Sequence, residues 1–353
     1  MRPTLSKILG LALYASAAMA AGRATDGRSD AAQFSSAIGV ALQADLKSAL
    51  QQLDGISAAG LPEKKRAILT CMRQRFDAGK DPAIPANVDP WTADLLRIYR
   101  RYWRSVMLGS VTRDAGEQEL ARQLARHLGG SNRPKDLDAI EPMLGERLEA
   151  HGYHALFGVT APLREFMLWR DEADETYPVE LPDGPEPVHV TMMDGFLSFG
   201  WLGYATCDYR HSGGWAKPDR LFAVRSAYDL DSEDFHVSYL AHEGQHFSDY
   251  RRFPGLAQAD LEYRAKLVEL AKAGTTLYDL IDAFSGSGSD DREQAHAWAN
   301  RRVIGDLARR LFNEEAATSA TWRRCPVEQI NAAAADLLKQ DDVRRSPTVR
   351  ASG

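Results

Sequence analysis

From about residue 30 to 150, apolar residues recur at helical steps while Lys, Arg and Glu fill the faces between them, so the pattern predicts helix after helix. Asp89-Pro90 opens one of these helices with an N-cap and a proline at the first helical position, and Leu95, Tyr99, Tyr102 and Val106 continue it at three- and four-residue steps. The aromatic group Tyr99, Tyr102 and Trp103 reads as packing core rather than as a ligand platform. After Pro162 the pattern changes. Short runs rich in Val, Met, Trp or Tyr near 165–171, 177–181 and 187–193 predict strands, and Pro182-Asp183-Gly184 turns the chain between the second and the third. Phe196 to Thr206 and Leu221 to Tyr228 predict two more, separated by a loop that contains Gly213-Gly214.

Helical spacing then returns. Ser232-Glu233-Asp234 supplies an N-cap and two acidic first-turn residues, and Phe235, Tyr239, His242, His246 and Asp249 follow on one face, which predicts a helix over 232–252. Pro254-Gly255 reverses the chain, and a second helix is expected from Leu256 to Ala273. Ser285-Gly286-Ser287-Gly288 marks a flexible break, after which Ser289-Asp290 should cap a helix running to about Leu311. The polar, Arg-rich stretch 340–353 is expected to be disordered. No internal repeat is visible.

The chemistry lies in the 232–252 helix. His242-Glu243-Gly244-Gln245-His246 has the HExxH form, and two histidines four apart on a helix face the same way, so both imidazoles can bind one metal ion. Glu243 is set about 100° round the helix, where its carboxylate can take a proton from a bound water without being a ligand. The plainer alternative is a pair of core histidines hydrogen-bonded to backbone. It is disfavoured, because stacked buried imidazoles beside a glutamate have few other stable uses.

A catalytic zinc usually takes three protein ligands and leaves a fourth position for water. Glu262, two turns into the second helix, is the expected third ligand, since the turn at Pro254-Gly255 folds that helix back alongside the first. Asp249 and Glu269 are the rivals. Asp249 is too far along the first helix for its short side chain, and Glu269 should overshoot by about 10 Å and stay at the surface or behind the ligands. Over residues 232–270 the chain resembles the gluzincins, zinc metallopeptidases in which HExxH is followed one helix later by a ligating glutamate. It departs from them in a short spacing, and in having Lys266 where an Asp often follows the glutamate by four, which leaves the partner of the zinc histidines open. The metzincin pattern fails, because Asp249 and Arg252 occupy its last two landmarks. Cys207 lacks the setting of a deformylase ligand.

The resemblance implies an α+β fold with a zincin-like catalytic domain, one Zn2+ per chain, and a peptide or protein substrate held along an antiparallel edge strand. By order along the chain that strand falls at 196–206. It also implies a His or Tyr from a downstream helix placed over the metal to bond the oxyanion; His296 is the candidate, with Tyr263 and Tyr204 behind it. His151 and His154 have no carboxylate at ligand spacing and read as structural.

Arg2 and Lys7 precede an apolar run from Ile8 to Met19 that ends in Ala18-Met19-Ala20, the layout of a cleavable secretory leader over 1–20. Its removal would take the formal net charge from −6 to −8, which offers no nucleic-acid footprint. No other stretch approaches the length of a membrane span. Of Cys71, Cys207 and Cys325 at most two can pair, which two is not legible, and three buried thiols are an equal alternative. The organisation expected is a leader, a helical region over 21–150, a catalytic domain over 151–313, and a C-terminal helix with its tail over 314–353. The function expected is that of an exported zinc metallopeptidase with Glu243 as general base. The alternatives are an amidase acting on cell-wall peptides and a non-catalytic binding module stabilised by zinc, and oligomeric state is not legible.

Overall fold

The computed structural model describes residues 30–129 and 136–345, so the leader expected at 1–20 and the last residues of the tail lie outside the described residues. Six helices come first: α1 (Asp30–Ala41), α2 (Leu46–Asp54), α3 (Glu63–Phe76), α4 (Pro90–Met107), α5 (Arg113–Leu128) and α6 (Leu137–Ala150). The cap read at Asp89 is formed, its Oδ1 accepting from the Thr92 amide at 3.0 Å. Then follow β1 (His154–Thr160), β2 (Leu163–Trp169), β3 (Asp171–Leu181), β4 (Gly184–Asp194), the two-residue β5 (Ser198–Phe199), α7 (Gly200–Thr206), β6 (Gly214–Lys217) and β7 (Arg220–Val224). A π-helical segment, Asp234–Ala241, runs directly into α8 (His242–Arg252). After it come α9 (Gln258–Lys272), α10 (Leu277–Gly286), α11 (Ala295–Phe312), α12 (Ser319–Trp322) and α13 (Val327–Arg345). The fold is α+β. No helix among the described residues is long and apolar enough to cross a membrane.

The chain forms two compact units, one holding residues 30–172 and 193–212, the other 173–192 and 213–345. The division departs from the expected boundary at 150, because the first unit takes β1, β2, β5 and α7 along with the helices. Its sheet has the order β1-β2-β5, with β1 antiparallel to β2 in a register that sets Thr160 opposite Leu163. Tyr99, Tyr102 and Trp103 of α4 are buried there, Tyr99 stacking on Phe166 of β2 at 4.7 Å. A Cys71–Cys207 disulfide joins α3 to the end of α7, and Cys325, in the other unit, is free and buried.

The edge strand expected at 196–206 is not formed. Only Ser198 and Phe199 pair with β2, and the following residues turn into α7, all seven of them buried. A continuous apolar run reads equally well as buried strand or buried helix. A distant carboxylate decides here: Glu165 on β2 accepts from the Trp201 amide at 3.1 Å, capping the helix start. Gly200, at φ +77°, is required, since a Cβ would fall 1.9 Å from Glu165 Oε1.

The second unit has the sheet order β3-β4-β7-β6, β3 and β4 forming a hairpin around Pro182-Asp183. Its core is centred on α9, which packs against α8, α11 and α13 and is buried continuously from Leu261 to Leu270. Two expected ends differ. The helix of His296 begins at Ala295, and Ser289-Asp290 stands in the irregular segment before it. At the other end α13 continues to Arg345, so residues 340–345 are helical rather than disordered, with Asp341 and Asp342 buried.

Ser232 caps the helix that carries the histidines, its Oγ accepting from the Phe235 amide at 3.1 Å. Glu233 does more than favour a first turn: its carboxylate accepts from the amides of Gly274, Thr275 and Thr276 at 2.7, 2.9 and 3.0 Å, and from both threonine hydroxyls. Partial burial opposes its charge, but those bonds outweigh it and hold the carboxyl at about 2, below its usual 4.5. A folded pKa below the unfolded one stabilises above the unfolded value and is lost as pH falls through the folded one. Taken whole, that shift would be worth about 3.4 kcal/mol; solvent screening reduces it to about 1–2 kcal/mol. Glu233→Gln is therefore expected to lose about that much stability at pH 7, with most of the difference gone by pH 2, as read from urea unfolding at both pH values.

Candidate metal centre

His242 and His246 lie one turn apart on α8, and the reversal through Pro254 and Gly255, the latter at φ +85°, brings α9 back alongside them. This places the Glu262 carboxylate against both rings. The two Nε2 atoms are 3.1 Å apart, Glu262 Oε2 is 3.4 Å from that of His242, and Oε1 is 3.5 Å from that of His246. All three residues are buried, at 2, 3 and 0% exposure, and one ligand atom from each lies within 4.8 Å of the others.

Glu269 completes the arrangement. Of the two places open to it, the surface or behind the ligands, it takes the second: two turns return it to the face of Glu262, and its Oε1 stands 2.7 Å from His242 Nδ1. The rise of two turns carries Glu269 past the ligand position, but an imidazole has two nitrogens facing opposite ways. His242 directs Nε2 towards Glu262 and Nδ1 towards Glu269, spanning both turns. The partner left open at Lys266 is therefore supplied three residues later, with the Lys266 ammonium 3.6 Å from the same Glu269 oxygen.

With Nδ1–H donated to Glu269, a neutral His242 presents a lone pair at Nε2. That lone pair meets the His246 ring nitrogen and a carboxylate, a convergence that is repulsive unless a cation or a proton lies among them. Burial works to lower the His242 imidazolium, yet its bonds to Glu262 and Glu269 prevail and push it up to about 10. For Glu262, burial acts upward, and the bonds from His242, His246 and His296 hold it well below the carboxylate range. The donor set fits a metal ion, and His242, His246 and Glu262 could hold one.

Glu243 is buried at 2% exposure, and its Oε1 has no hydrogen-bond partner in the structure. Three tyrosines feel its charge. Burial first and the Glu243 carboxylate next raise the phenols of Tyr228 and Tyr250, and burial with Tyr228 and Glu243 raises that of Tyr239. Tyr250 is 46% exposed, and its ring lies 6.3 Å from that of His246 at 26°. Its position four residues after His246 was a readable signal. The opposite face of α8 meets the hairpin at Gly244, where a Cβ would come within 3.0 Å of Val188 Cγ2.

The remaining candidates separate. His296 puts Nδ1 2.8 Å from Glu262 Oε2 and is half exposed, so it reaches the site through the carboxylate. Gln258 Nε2 donates to the other oxygen at 2.9 Å. Asp249 is not brought to the cluster; it accepts from Arg264 Nε and Nη2, each at 2.8 Å, and from Gln245. Tyr263 donates to Asp306 and Tyr204 to Asp81. His151 lies by Asp89 and Trp91, and His154 by Glu172 and Trp169. No protein-family model matches this chain, and no curated protein or solved structure is significantly similar to it.

Proposed function

We propose that the chain is a zinc-dependent hydrolase of peptide bonds, gluzincin-like in its site and zincin-like in the unit that carries it, with His242, His246 and Glu262 as ligands and Glu243 as general base. The observation that carries this is the buried Glu243 carboxylate with an unbonded oxygen on the turn that bears two convergent histidines. An unpaired buried carboxylate oxygen is costly for stability alone, and such costs concentrate where a proton must be moved. Zinc fits the donor types, and the separations of 3.1 to 3.5 Å among the three atoms match the edge of about 3.3 Å that Zn–N and Zn–O lengths give a tetrahedron. When bound, zinc would polarise a carbonyl and make a water acidic near neutrality.

Glu243 Oε1 takes the proton that water gives up as its oxygen adds to the carbonyl carbon. The same carboxyl then donates that proton to the amine nitrogen as the C–N bond breaks. Glu269 holds the His242 ring with Nε2 directed at the site, and Gln258 and His296 orient Glu262. Export through the 1–20 leader is part of this proposal, and an amidase acting on cell-wall peptides would use the same residues.

The test combines metal analysis with a mixed peptide library. The purified chain is expected to hold close to one zinc per molecule and to cleave peptides in a chelator-sensitive way, and Glu262→Ala should lose the metal where Asp249→Ala keeps it. Bound zinc without hydrolysis would favour the binding-module reading, and absence of any transition metal would remove both.

A further inference from the structure

α9 is buried continuously from Leu261 to Leu270, yet that stretch carries Glu262, Arg264, Lys266 and Glu269, all below 9% exposure. Charges inside a protein must each meet a partner. Glu262 faces the histidines, Arg264 faces aspartates, and Glu269 faces His242. Lys266 is different in kind. Its ammonium lies 4.3 Å over the ring of Phe284 and meets Glu269 at the oxygen that already faces His242 Nδ1. A methionine would fill that space against the ring at lower desolvation cost.

We propose that Lys266 is a positioning residue that weakens the hold of the site on its cation, acting through Glu269 and His242; this rests on the reading that His242, His246 and Glu262 bind a divalent metal. Two effects act in the same direction. The ammonium competes with the His242 N–H for Glu269 Oε1, which makes the imidazole a poorer electron donor, since the strength of that outer hydrogen bond sets ligand basicity. Its charge also repels a dication in a dry interior, where screening is weak. The consequence is a more loosely held and more electron-poor metal. A lysine present only for packing or pairing predicts the opposite sign, because its removal would leave Glu269 less well held.

The experiment is competition for Zn2+ against a colorimetric chelator at pH 7, on the whole chain, for wild type, Lys266→Met, Lys266→Gln, Lys266→Arg and Glu269→Gln, with thermal unfolding of each metal-free protein as the fold control. Lys266→Met and Lys266→Gln are expected to bind Zn2+ roughly tenfold more tightly, and Lys266→Arg to stay near wild type. Glu269→Gln is expected to bind about 10–100-fold more weakly. The absorption of the Co2+-loaded protein should shift in the two neutral variants and not in Lys266→Arg. Unchanged or weaker Zn2+ binding in whichever neutral variant folds overturns the proposal, as does failure of both to fold, since the lysine is then a structural requirement. A wild type that binds no Zn2+ or Co2+ instead overturns the metal centre itself, and the role of Lys266 with it.

Discussion

Glu243→Gln is expected to keep the full complement of metal and to lose turnover by about 10²–10⁴-fold, the range for removing a general base. The glutamine has nearly the same volume, so the packing of a residue at 2% exposure is preserved. Metal retention follows from geometry, because Glu243 is absent from the group whose donor atoms converge. Loss of rate follows from chemistry: an amide oxygen in place of Oε1 cannot take a proton from water near neutral pH. Metal content by emission spectroscopy and cleavage of a susceptible library peptide measure the two halves separately. Release of the metal from the variant would make Glu243 a ligand and remove the base from the proposed reaction.

Arg264→Met is expected to cost about 3–5 kcal/mol of stability, the largest effect of any single change away from the candidate metal centre. The guanidinium is fully buried and donates to Asp249 through Nε and Nη2, to Asp341 at 3.0 Å, and lies 2.6 Å from Asp342. Burial works against its charge, but the Asp249 bond and the other carboxylates raise its pKa further. Methionine keeps much of the volume while leaving three carboxylates without their shared cation. Because Arg264 ties α8 and α13 to α9, unfolding should remain cooperative with a lower midpoint in urea and an unchanged slope. A loss under 1 kcal/mol would mean that the aspartates are solvated or protonated at little cost. The same network occupies Asp249, the rival already set too far along α8 to reach the cluster.

How the charges of α9 are distributed shows what spacing can and cannot reveal. The approach of Glu262 to the histidines was legible because a group facing two histidines of one helix must come from another element, and a Pro-Gly reversal says which. Glu269 was legible only as far as a place at the surface or behind the ligands, and the role of Lys266 not at all, because both depend on the direction of an imidazole and on the lateral packing of α9 against α8 and α10. Nor was α7, where a carboxylate 36 residues upstream caps the helix. The π-helical turns before His242 have no residue signature. There the His242 amide reaches back to Val237 O, widening the turn that enters the site.

By itself the sequence determined the α+β class, the helical first stretch, the hairpin around Pro182-Asp183 and the placing of His242 and His246 on one helical face. Each of these rests on local periodicity, capping or turn chemistry, which act over a few residues and are written in residue order. Only the tertiary structure decided which carboxylate meets His242 from behind, that Asp249 is taken by Arg264, which cysteines pair, that 196–206 folds largely as helix, and that α13 runs on to Arg345. Those outcomes depend on desolvation and on partners remote along the chain: a buried charge takes whichever opposite charge packing brings near, and spacing along a single chain does not encode that choice.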